Sequence, residues 1–288
     1  MDRRSFINLI KTAGIAAPVA AVTSRLAEPP EAACAAKDKT ERILDTRKMN
    51  CSYVVYAPFI MKDPNTGKIS GIFYDLTQKV GELANLEMTW ATETTYATFI
   101  EDLQNQKYDV FAGGLWPETK QARAVNYSLP AFYSGLGVYV QADDRRFDGN
   151  VDRLNNPRYR IATIDGEMSQ IVQQSDFPKA SVLGLPDNAD ISLLAESVAT
   201  KKADATIIEK AVANLYMLKN PGTLRNLSDA RPIRVFENTW AFAHNEPRLK
   251  NTIDTAVKDM LSSGYVDHVL AKYEQVPGSF YRVRPLIE

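Results

Sequence analysis

The sequence predicts an α/β protein built from two domains, and three observations support this prediction. Short apolar segments of strand character alternate with amphipathic helical segments between residues 52 and 273, and this alternation is typical of parallel α/β sheets. Two such series follow one another along the chain, the second beginning near residue 137. Once the first 35 residues are set aside, roughly 250 remain, which suits two modest domains.

The first series predicts short strands, and the period of its apolar residues predicts the helices between them. The strands are expected at 52–56, 86–90 and 108–111, with a turn-rich hairpin over 68–74. Asp75 is the predicted N-cap of the first helix, and Thr94 or Thr95 caps the second. The inner faces of these helices carry Leu76, Val80, Leu83 and Ala84, then Phe99, Ile100 and Leu103.

The second series repeats the pattern and ends in a long helical region. Its strands and extended segments are expected at 137–141, 159–164, 180–185, 204–208, 233–236 and 239–243. Its helices are expected at 167–174, from residue 190, at 210–218, and over the C-terminal region on both sides of Gly264. A sheet flanked by helices is therefore expected in each half of the chain.

The N-terminus predicts export. Residues 2–7 read Asp-Arg-Arg-Ser-Phe-Ile and resemble the twin-arginine export motif, followed by a weakly apolar, Ala-rich stretch over 7–22. That stretch is too short and too polar for a permanent membrane anchor. Ala33 and Ala35 fit the small-residue cleavage rule, so a signal peptide of residues 1–35 and a periplasmic mature protein are predicted. An ordinary amphipathic helix is the alternative. Lipid attachment at Cys34 is disfavoured, because Glu31 stands where a lipoprotein signal has an apolar residue.

Composition excludes several classes of function. The chain holds 34 basic and 35 acidic side chains, so charge gives no reason to expect a nucleic acid or membrane partner. It has 2 histidines and no HExxH, CxxC, G-x-S-x-G or phosphate-loop pattern, so neither a metal site nor a cofactor is expected. Cleavage after Ala35 would leave Cys51 as the one cysteine, which predicts no intramolecular disulfide.

Four segments form a recognisable set along the chain. They are Tyr56-Ala57-Pro58-Phe59, Gly71-Ile72-Phe73-Tyr74-Asp75-Leu76, the helix-and-strand run 99–128 with its Gly113-Gly114 pair, and Ala203-Asp204-Ala205-Thr206-Ile207-Ile208-Glu209. In this order they resemble signatures of the bacterial extracellular solute-binding proteins that feed ABC importers, in the polar amino-acid group (family 3). The resemblance extends over nearly all of residues 50–275.

The resemblance implies a two-lobed periplasmic-binding-protein fold of type II with two hinge strands. Residues 50–140 and 241–288 would form lobe 1, residues 141–240 lobe 2, and 36–49 a linker. The hinges are expected near 139–142 and 237–241. A small solute would bind between the lobes, which close on it and deliver it to an ABC transporter permease. The protein is expected to be a monomer without catalytic residues.

The same resemblance implies positions for the ligand-binding residues. Tyr56, Tyr96 and Trp116 fall on contact positions where aromatic rings suit an apolar or cationic group. Gly114 lets the backbone approach a ligand. Each of these has a structural alternative, as core filler or tight packing.

The prediction about the charge of the ligand depends on Glu209, Glu167 and Gln121. Glu209 matches the acidic position that holds a ligand ammonium in the family, although it could instead be a solvated residue capping the next helix. Glu167 and Met168 open the helix after Gly166, where Glu167 competes with any ligand carboxylate for the helix N-terminus. Gln121 stands where the family has a carboxylate-binding arginine, and it lacks the charged fork of that residue.

Taken together, these residues favour an amine or another cationic solute. Arg123 lies two residues beyond Gln121 and could take over the missing clamp, as could Lys120. An exported dehydratase-like enzyme on the same fold and a ligand-sensing protein remain alternatives. The enzyme would need a carboxylate clamp, which Gln121 disfavours.

Overall fold

The computed structural model describes residues 39–229 and 231–283. The predicted signal peptide, its cleavage site and Cys34 lie outside the described residues. Within them, no helix combines the length and apolar character needed to cross a membrane. Cys51 is a buried free thiol, and burial strongly raises the pKa of that thiol.

The described chain alternates strands and helices, as the sequence predicts. The strands are β1 Lys48–Tyr53, β2 Met61–Lys62, β3 Ile69–Ser70, β4 Glu87–Glu93, β5 Val110–Leu115, β6 Val125–Tyr127, β7 Phe132–Gln141, β8 Arg160–Ile164, β9 Ser181–Leu185, β10 Ala205–Glu209, β11 Leu224–Asn226, β12 Arg234–Ala243 and β13 Phe280–Arg282. The helices are α1 Lys39–Thr46, α2 Ile72–Ala84, α3 Phe99–Gln104, α4 Met168–Asp176, α5 Ser192–Ala199, α6 Lys210–Lys219, α7 Pro247–Ser262 and α8 Tyr265–Tyr273. Short 3-10 helices cover Gln121–Arg123 and Val151–Leu154.

One long curled sheet runs through both lobes in the strand order β4-β1-β5-β12-β7-β10-β8-β9. The first lobe lies around β4, β1 and β5, and β1 pairs in parallel with both of its neighbours. The second lobe lies around β10, β8 and β9, which are also parallel. The parallel pairs confirm the α/β prediction, whereas the central strands β12 and β7 are antiparallel to their neighbours.

The chain crosses between the lobes at two adjacent places. Strand β12 pairs with β7 as far as Asn238 and with β5 from Thr239 onward. This crossover lies within the hinge predicted at 237–241. The other crossover joins β6 to β7 over residues 128–131. There the backbone amides of Ser128 and Ala131 donate to the carbonyls of Trp240 and Asn238, each at 3.0 Å.

The predicted first hinge at 139–142 is wrong, because these residues include the end of strand β7. Val140 lies deep in the second lobe, opposite Ala205 of β10 on one side and Arg225 of β11 on the other. Sequence patterning detected the apolar second half of β7 but not its first half, where Ser134 and Gly135 weaken the strand signal. Strand β7 is ten residues long, and the chain passes from the first lobe to the second before this strand begins.

Three local predictions also need correction. Helix α2 begins at Ile72 after Gly71, so Asp75 is not its N-cap; its carboxylate instead accepts from Lys272 Nζ at 2.7 Å and from the Tyr273 hydroxyl at 3.0 Å. Helix α3 begins at Phe99 with Thr98 at the N-cap position, so neither Thr94 nor Thr95 caps it. The predicted linker 36–49 contains helix α1 and the start of β1.

Helix α1 is attached to the first lobe by polar contacts. Thr40 Oγ1 donates to Glu246 Oε2 at 2.8 Å, and Arg42 pairs with the buried carboxylate of Asp109. The other oxygen of Asp109 accepts from the Asn50 amide of β1 at 2.8 Å. These bonds satisfy carboxylates that burial would otherwise destabilise, and so the segment before β1 is part of the lobe.

Candidate functional site

A cavity lies between the two lobes, beside the crossovers. It encloses about 480 Å³ of space between its lining atoms, part of which is open to solvent. Eight of the nine residues predicted to bind a ligand line it: Tyr56, Tyr96, Gly114, Trp116, Gln121, Glu167, Met168 and Glu209. Residues that sequence reasoning did not assign to the site also line it: Phe59, Phe99, Leu115, Gly166, Ile171 and Asn238.

Arg123 is the predicted residue that does not line the cavity. It ends the 3-10 helix Gln121–Arg123 and is exposed. Gln121, at the start of the same turn, accepts a hydrogen bond from the Tyr127 hydroxyl at 3.0 Å through Oε1. Among the described residues, no lysine, arginine or histidine lines the cavity. Gln121 places a neutral amide at the position where the family resemblance implies an arginine clamp.

Glu209 is the buried acid of the second lobe. It is the last residue of β10 and immediately precedes α6, yet its side chain makes no capping hydrogen bond and is only 1% exposed. The solvated capping role considered from the sequence is therefore wrong. Burial raises the pKa of Glu209 to about 8 from its usual value of 4.5, against the opposing effect of a hydrogen bond from Ser134; the negative charge of Glu167 raises it further.

Glu167 is a second buried carboxylate on the same side of the cavity. It is the N-cap residue of α4, and its Oε2 accepts from the Ser169 amide at 2.7 Å. Burial nevertheless raises the pKa of Glu167, because the loss of water outweighs the hydrogen bonds from Ser169 and Met168. Since this carboxylate already occupies the first-turn amides of α4, a ligand anion would meet repulsion there.

Aromatic rings form the wall contributed by the first lobe. Tyr56 and Tyr96 pack edge to face, with centroids 6.1 Å apart and an interplanar angle of 84°. Trp116 stacks on Phe236, with centroids 4.6 Å apart and planes 8° from parallel. Rings held in this way present electron-rich faces that attract cations, and they do so more strongly where water is excluded.

The Tyr56 hydroxyl has no hydrogen-bond partner among the described residues, although it is buried. It lies near the Glu209 carboxylate without good hydrogen-bonding geometry to it. Burial raises the pKa of Tyr56 well above its usual value, and the charges of Glu209 and Glu167 add to this effect. Because a buried hydroxyl without a partner costs free energy, Tyr56 is suited to donate to a bound molecule or to Glu209 after a small rotation.

Two glycines line the cavity where the backbone has positive φ. Gly114 has φ +79°, and a Cβ there would lie 2.7 Å from the Phe73 ring. Gly166 has φ +75°, and a Cβ there would lie 3.2 Å from the Cβ of Ala97 across the cleft. Both positions therefore favour glycine for conformation and for space, and Gly166 is a point where the two lobes are in close contact.

Ser134 and Asn238 are the polar residues of this region that sequence reasoning missed. They lie on the paired crossover strands β7 and β12, are 1% and 0% exposed, and connect Glu209 to Trp116 by hydrogen bonds. A signal was available in the sequence, since each is a polar residue inside an apolar strand pattern. Their proximity, however, depends on strand register, which the pattern alone does not give.

A family comparison identifies the chain. Residues 51–276 match the model of the bacterial extracellular solute-binding proteins, family 3. The chain belongs to this family. The match extends over both lobes and includes every residue that lines the cavity.

A curated relative is a probable amino-acid ABC transporter periplasmic-binding protein from Sinorhizobium fredii. It is 26% identical over 147 residues, which cover 50% of this chain and 47% of the relative. The match therefore spans about half of that relative's length.

Solved structures share the two-lobed type II fold of this chain. One is an ancestral amino acid-binding protein described as a precursor of cyclohexadienyl dehydratase, with TM-score 0.71, 21% identity, and coverage of 81% of this chain and 97% of that chain. Another is a binding component of an ABC transporter from Wolinella succinogenes complexed with lysine, with TM-score 0.72, 18% identity, and coverage of 80% and 97%. At these identities the likeness shows the fold.

Proposed function

We propose that the protein is a periplasmic solute-binding protein that captures a small solute with a cationic group between its lobes and delivers it to an ABC transporter permease. The observation that carries this proposal is the acidic lining of the cavity, which lacks a basic side chain among the described residues. Two buried carboxylates, Glu167 and Glu209, line it together with aromatic rings, and no basic side chain of the described residues does so.

A cation would relieve the main electrostatic cost of this site. Two buried carboxylates without a basic partner repel each other, and burial opposes their ionisation. An ammonium or guanidinium group between them would donate charge-assisted hydrogen bonds to both. The faces of Tyr56, Tyr96 and Trp116 would cover its apolar part. The lysine bound to the W. succinogenes protein is a ligand of this chemical kind, on a similar fold.

The same residues argue against an acidic solute. Gln121 supplies a neutral amide where a carboxylate clamp would need a cation, and Glu167 occupies the amides at the start of α4. A ligand carboxylate would therefore have to be held by neutral donors alone. An amine-like solute, or a cationic amino acid whose carboxylate lies toward solvent, fits the cavity better than a dicarboxylate.

Lobe closure is part of the proposal. The two crossovers, residues 128–131 and the step from Asn238 to Thr239, lie side by side and are suited to absorb a hinge rotation. The close approach of Gly166 to Ala97 would then be a contact of the closed form. Residues 50–128 with most of the C-terminal part would form the first lobe, and residues 132–238 the second.

Calorimetric titration tests the ligand class. The mature protein would be titrated with a panel of monoamines, diamines, cationic amino acids and acidic amino acids, after native mass spectrometry has established whether a small molecule copurifies. We expect measurable binding within the cationic part of the panel and none with the acidic amino acids. Binding restricted to acidic amino acids would contradict the proposal.

The dehydratase alternative is less well supported. The fold is shared with a protein described as a precursor of a dehydratase, and Glu209 is a buried acid that a proton-transfer reaction could use. However, such an enzyme acting on a small cyclic acid would need a clamp for the substrate carboxylate. Since no basic side chain of the described residues lines the cavity, we propose that the protein is not an enzyme.

Export through the twin-arginine route is a separate prediction, based on Arg3 and Arg4 ahead of the Ala-rich stretch. Changing both arginines to lysine should strongly reduce the mature protein in the periplasm, because the route is expected to require the pair. Cell fractionation with immunoblotting measures this. Unchanged periplasmic amounts would contradict this route, and an unprocessed precursor in the cytoplasm would support it.

A further inference from the structure

A chain of hydrogen bonds runs from the cavity wall of the first lobe to the buried acid of the second. Trp116 Nε1 donates to Asn238 Oδ1 at 3.2 Å, Asn238 Nδ2 donates to Ser134 Oγ at 2.9 Å, and Ser134 Oγ donates to Glu209 Oε1. The four side chains are between 0% and 9% exposed. The chain passes through both crossover strands, β12 and β7.

The indole N–H fixes the direction of the first two hydrogen bonds in this series. An indole N–H can only donate, so the amide oxygen of Asn238 must face Trp116. The Asn238 amide nitrogen then faces Ser134 and must donate, which makes the serine oxygen an acceptor. The serine proton is then free to point at Glu209 Oε1, and in this structure the hydroxyl donates to that oxygen. Besides Ser134, the described donor that approaches this carboxylate is the Tyr56 hydroxyl, which favours the ionised form without making a hydrogen bond of good geometry.

We propose that Trp116, Asn238 and Ser134 are positioning residues that keep Glu209 Oε1 an acceptor and leave Oε2 as the oxygen that holds a proton in the empty site and meets the ligand's cation in the filled one. This proposal rests on the proposed function for its ligand, but its geometry does not. The groups that face Glu209 from other elements are Tyr56, Tyr96 and Glu167. They are neutral or acidic, so the hydrogen bond from Ser134 is the protein contact that most favours the ionised form.

A consequence is that ionisation of Glu209 should be felt at Trp116. When Oε2 loses its proton, the negative charge strengthens the bond from Ser134, and polarisation passes along the chain to the indole N–H. Because Trp116 directly follows β5 of the first lobe and Glu209 ends β10 of the second, the state of the acid would reach a residue at the crossover without any movement of the backbone.

The test uses the ligand-free protein and two isotope labels. Carbon-13 at the glutamate carboxyl follows Glu209, identified by loss of its signal in Glu209→Gln. Nitrogen-15 in tryptophan gives indole signals from the 3 tryptophans, and Trp116→Phe identifies the relevant one. Between pH 6 and pH 9 we expect the Trp116 indole signal to move with the same midpoint as Glu209, and to stop moving in Glu209→Gln.

Ser134→Ala should break the chain at its last bond. Loss of this charge-assisted bond is expected to raise the Glu209 midpoint by about one pH unit, and the Trp116 signal should no longer follow it. Trp116→Phe, which keeps the ring stacked on Phe236 but removes the N–H, should raise the midpoint by less. It provides a second reading should Ser134→Ala fail to fold.

Two matched controls involve residues that lie near these hydrogen-bonded side chains but are not hydrogen-bonded to them. Trp240 Nε1 donates to Thr77 Oγ1 at 2.8 Å, so its signal in the same spectrum should not follow Glu209. Thr239→Val removes a buried hydroxyl that donates to the Leu115 carbonyl at 2.8 Å; it should leave the midpoint and the Trp116 titration unchanged.

A Trp116 signal that stays constant while Glu209 titrates would overturn the proposal, as would an unchanged Glu209 midpoint in both Ser134→Ala and Trp116→Phe. Because no ligand is present, these outcomes are independent of what the site binds. If the hydrogen-bond series behaves as expected but the protein binds no amine, the proposed function is refuted and the present inference is not.

Discussion

Replacing Glu209 with glutamine is expected to weaken binding of a cationic ligand by tenfold to a hundredfold. A charge-assisted hydrogen bond contributes about 1.5–3 kcal/mol, and about 1.4 kcal/mol corresponds to a factor of ten in affinity. The side chain is 1% exposed, so solvent does little to screen its charge. Glutamine is nearly isosteric and can still accept from Ser134, so the fold should be retained.

Glu246→Gln is the matched control for this variant. Glu246 is also a buried glutamate, 3% exposed, but it lies in the first lobe away from the cavity and accepts from Thr40. The variant should bind the ligand as the unmodified protein does. Calorimetry of both variants against the bound amine separates loss of a site charge from general damage. Tight binding of an acidic amino acid that is indifferent to Glu209→Gln and abolished by Arg123→Ala would show instead that Arg123 has replaced the clamp.

The pH dependence of binding follows from the raised pKa of Glu209, about 8. Below that pH the empty site holds a proton that a cation must displace, so affinity should rise by about tenfold per pH unit up to about pH 8 and then level off. Near neutral pH, binding should release a proton, which calorimetry in buffers of different ionisation enthalpy detects. Glu209→Gln should remove this dependence. Affinity that falls as pH rises from 6 to 8 would contradict the model.

The alternation of strands and helices predicts the fold class, and the family resemblance of the motifs implies most of the site residues that line the cavity. The family resemblance implies Tyr56, Gly114 and Glu209 as site residues, and the end of a predicted strand beside Glu209 supports that assignment, because strand ends of parallel sheets converge on clefts. The resemblance also implies Trp116, and Glu167 is predicted from its place in the first turn of the helix after Gly166. The sequence predicts which positions along the chain face a ligand, and the fold brings these positions together around one cavity.

Contacts that depend on strand register cannot be predicted from the sequence pattern. Ser134 and Asn238 meet because β7 and β12 pair antiparallel at the crossover, and a shift of one residue would turn both away from Glu209. The first crossover was misplaced for a related reason, since Gly135 and Ser134 interrupt the apolar pattern of β7. The prediction of Asp75 as a helix cap fails because its partners, Lys272 and Tyr273, are almost two hundred residues away in sequence.

Gly114→Ala is expected to destabilise the protein by about 2–5 kcal/mol, the sum of two costs. A left-handed backbone costs a residue with a Cβ about 1–2 kcal/mol, and overpacking a filled core adds about 1–3 kcal/mol. The second cost arises because the new Cβ would lie 2.7 Å from the ring of Phe73 and 3.2 Å from that of Phe59. Phe73 cannot easily retreat, since it is fully buried and packs on Trp240 with centroids 4.8 Å apart.

Gly67→Ala isolates the steric part of this cost. Gly67 has φ +69°, close to the +79° of Gly114, but a Cβ there would meet no atom within 4 Å. Urea unfolding of both variants should therefore show a small loss for Gly67→Ala and a loss larger by about 1–3 kcal/mol for Gly114→Ala. Because Phe59 lines the cavity, its displacement should also weaken ligand binding in Gly114→Ala but not in Gly67→Ala. Equal stabilities of the two variants would mean that the rings yield at little cost and that the cavity wall beside Gly114 is soft rather than close-packed.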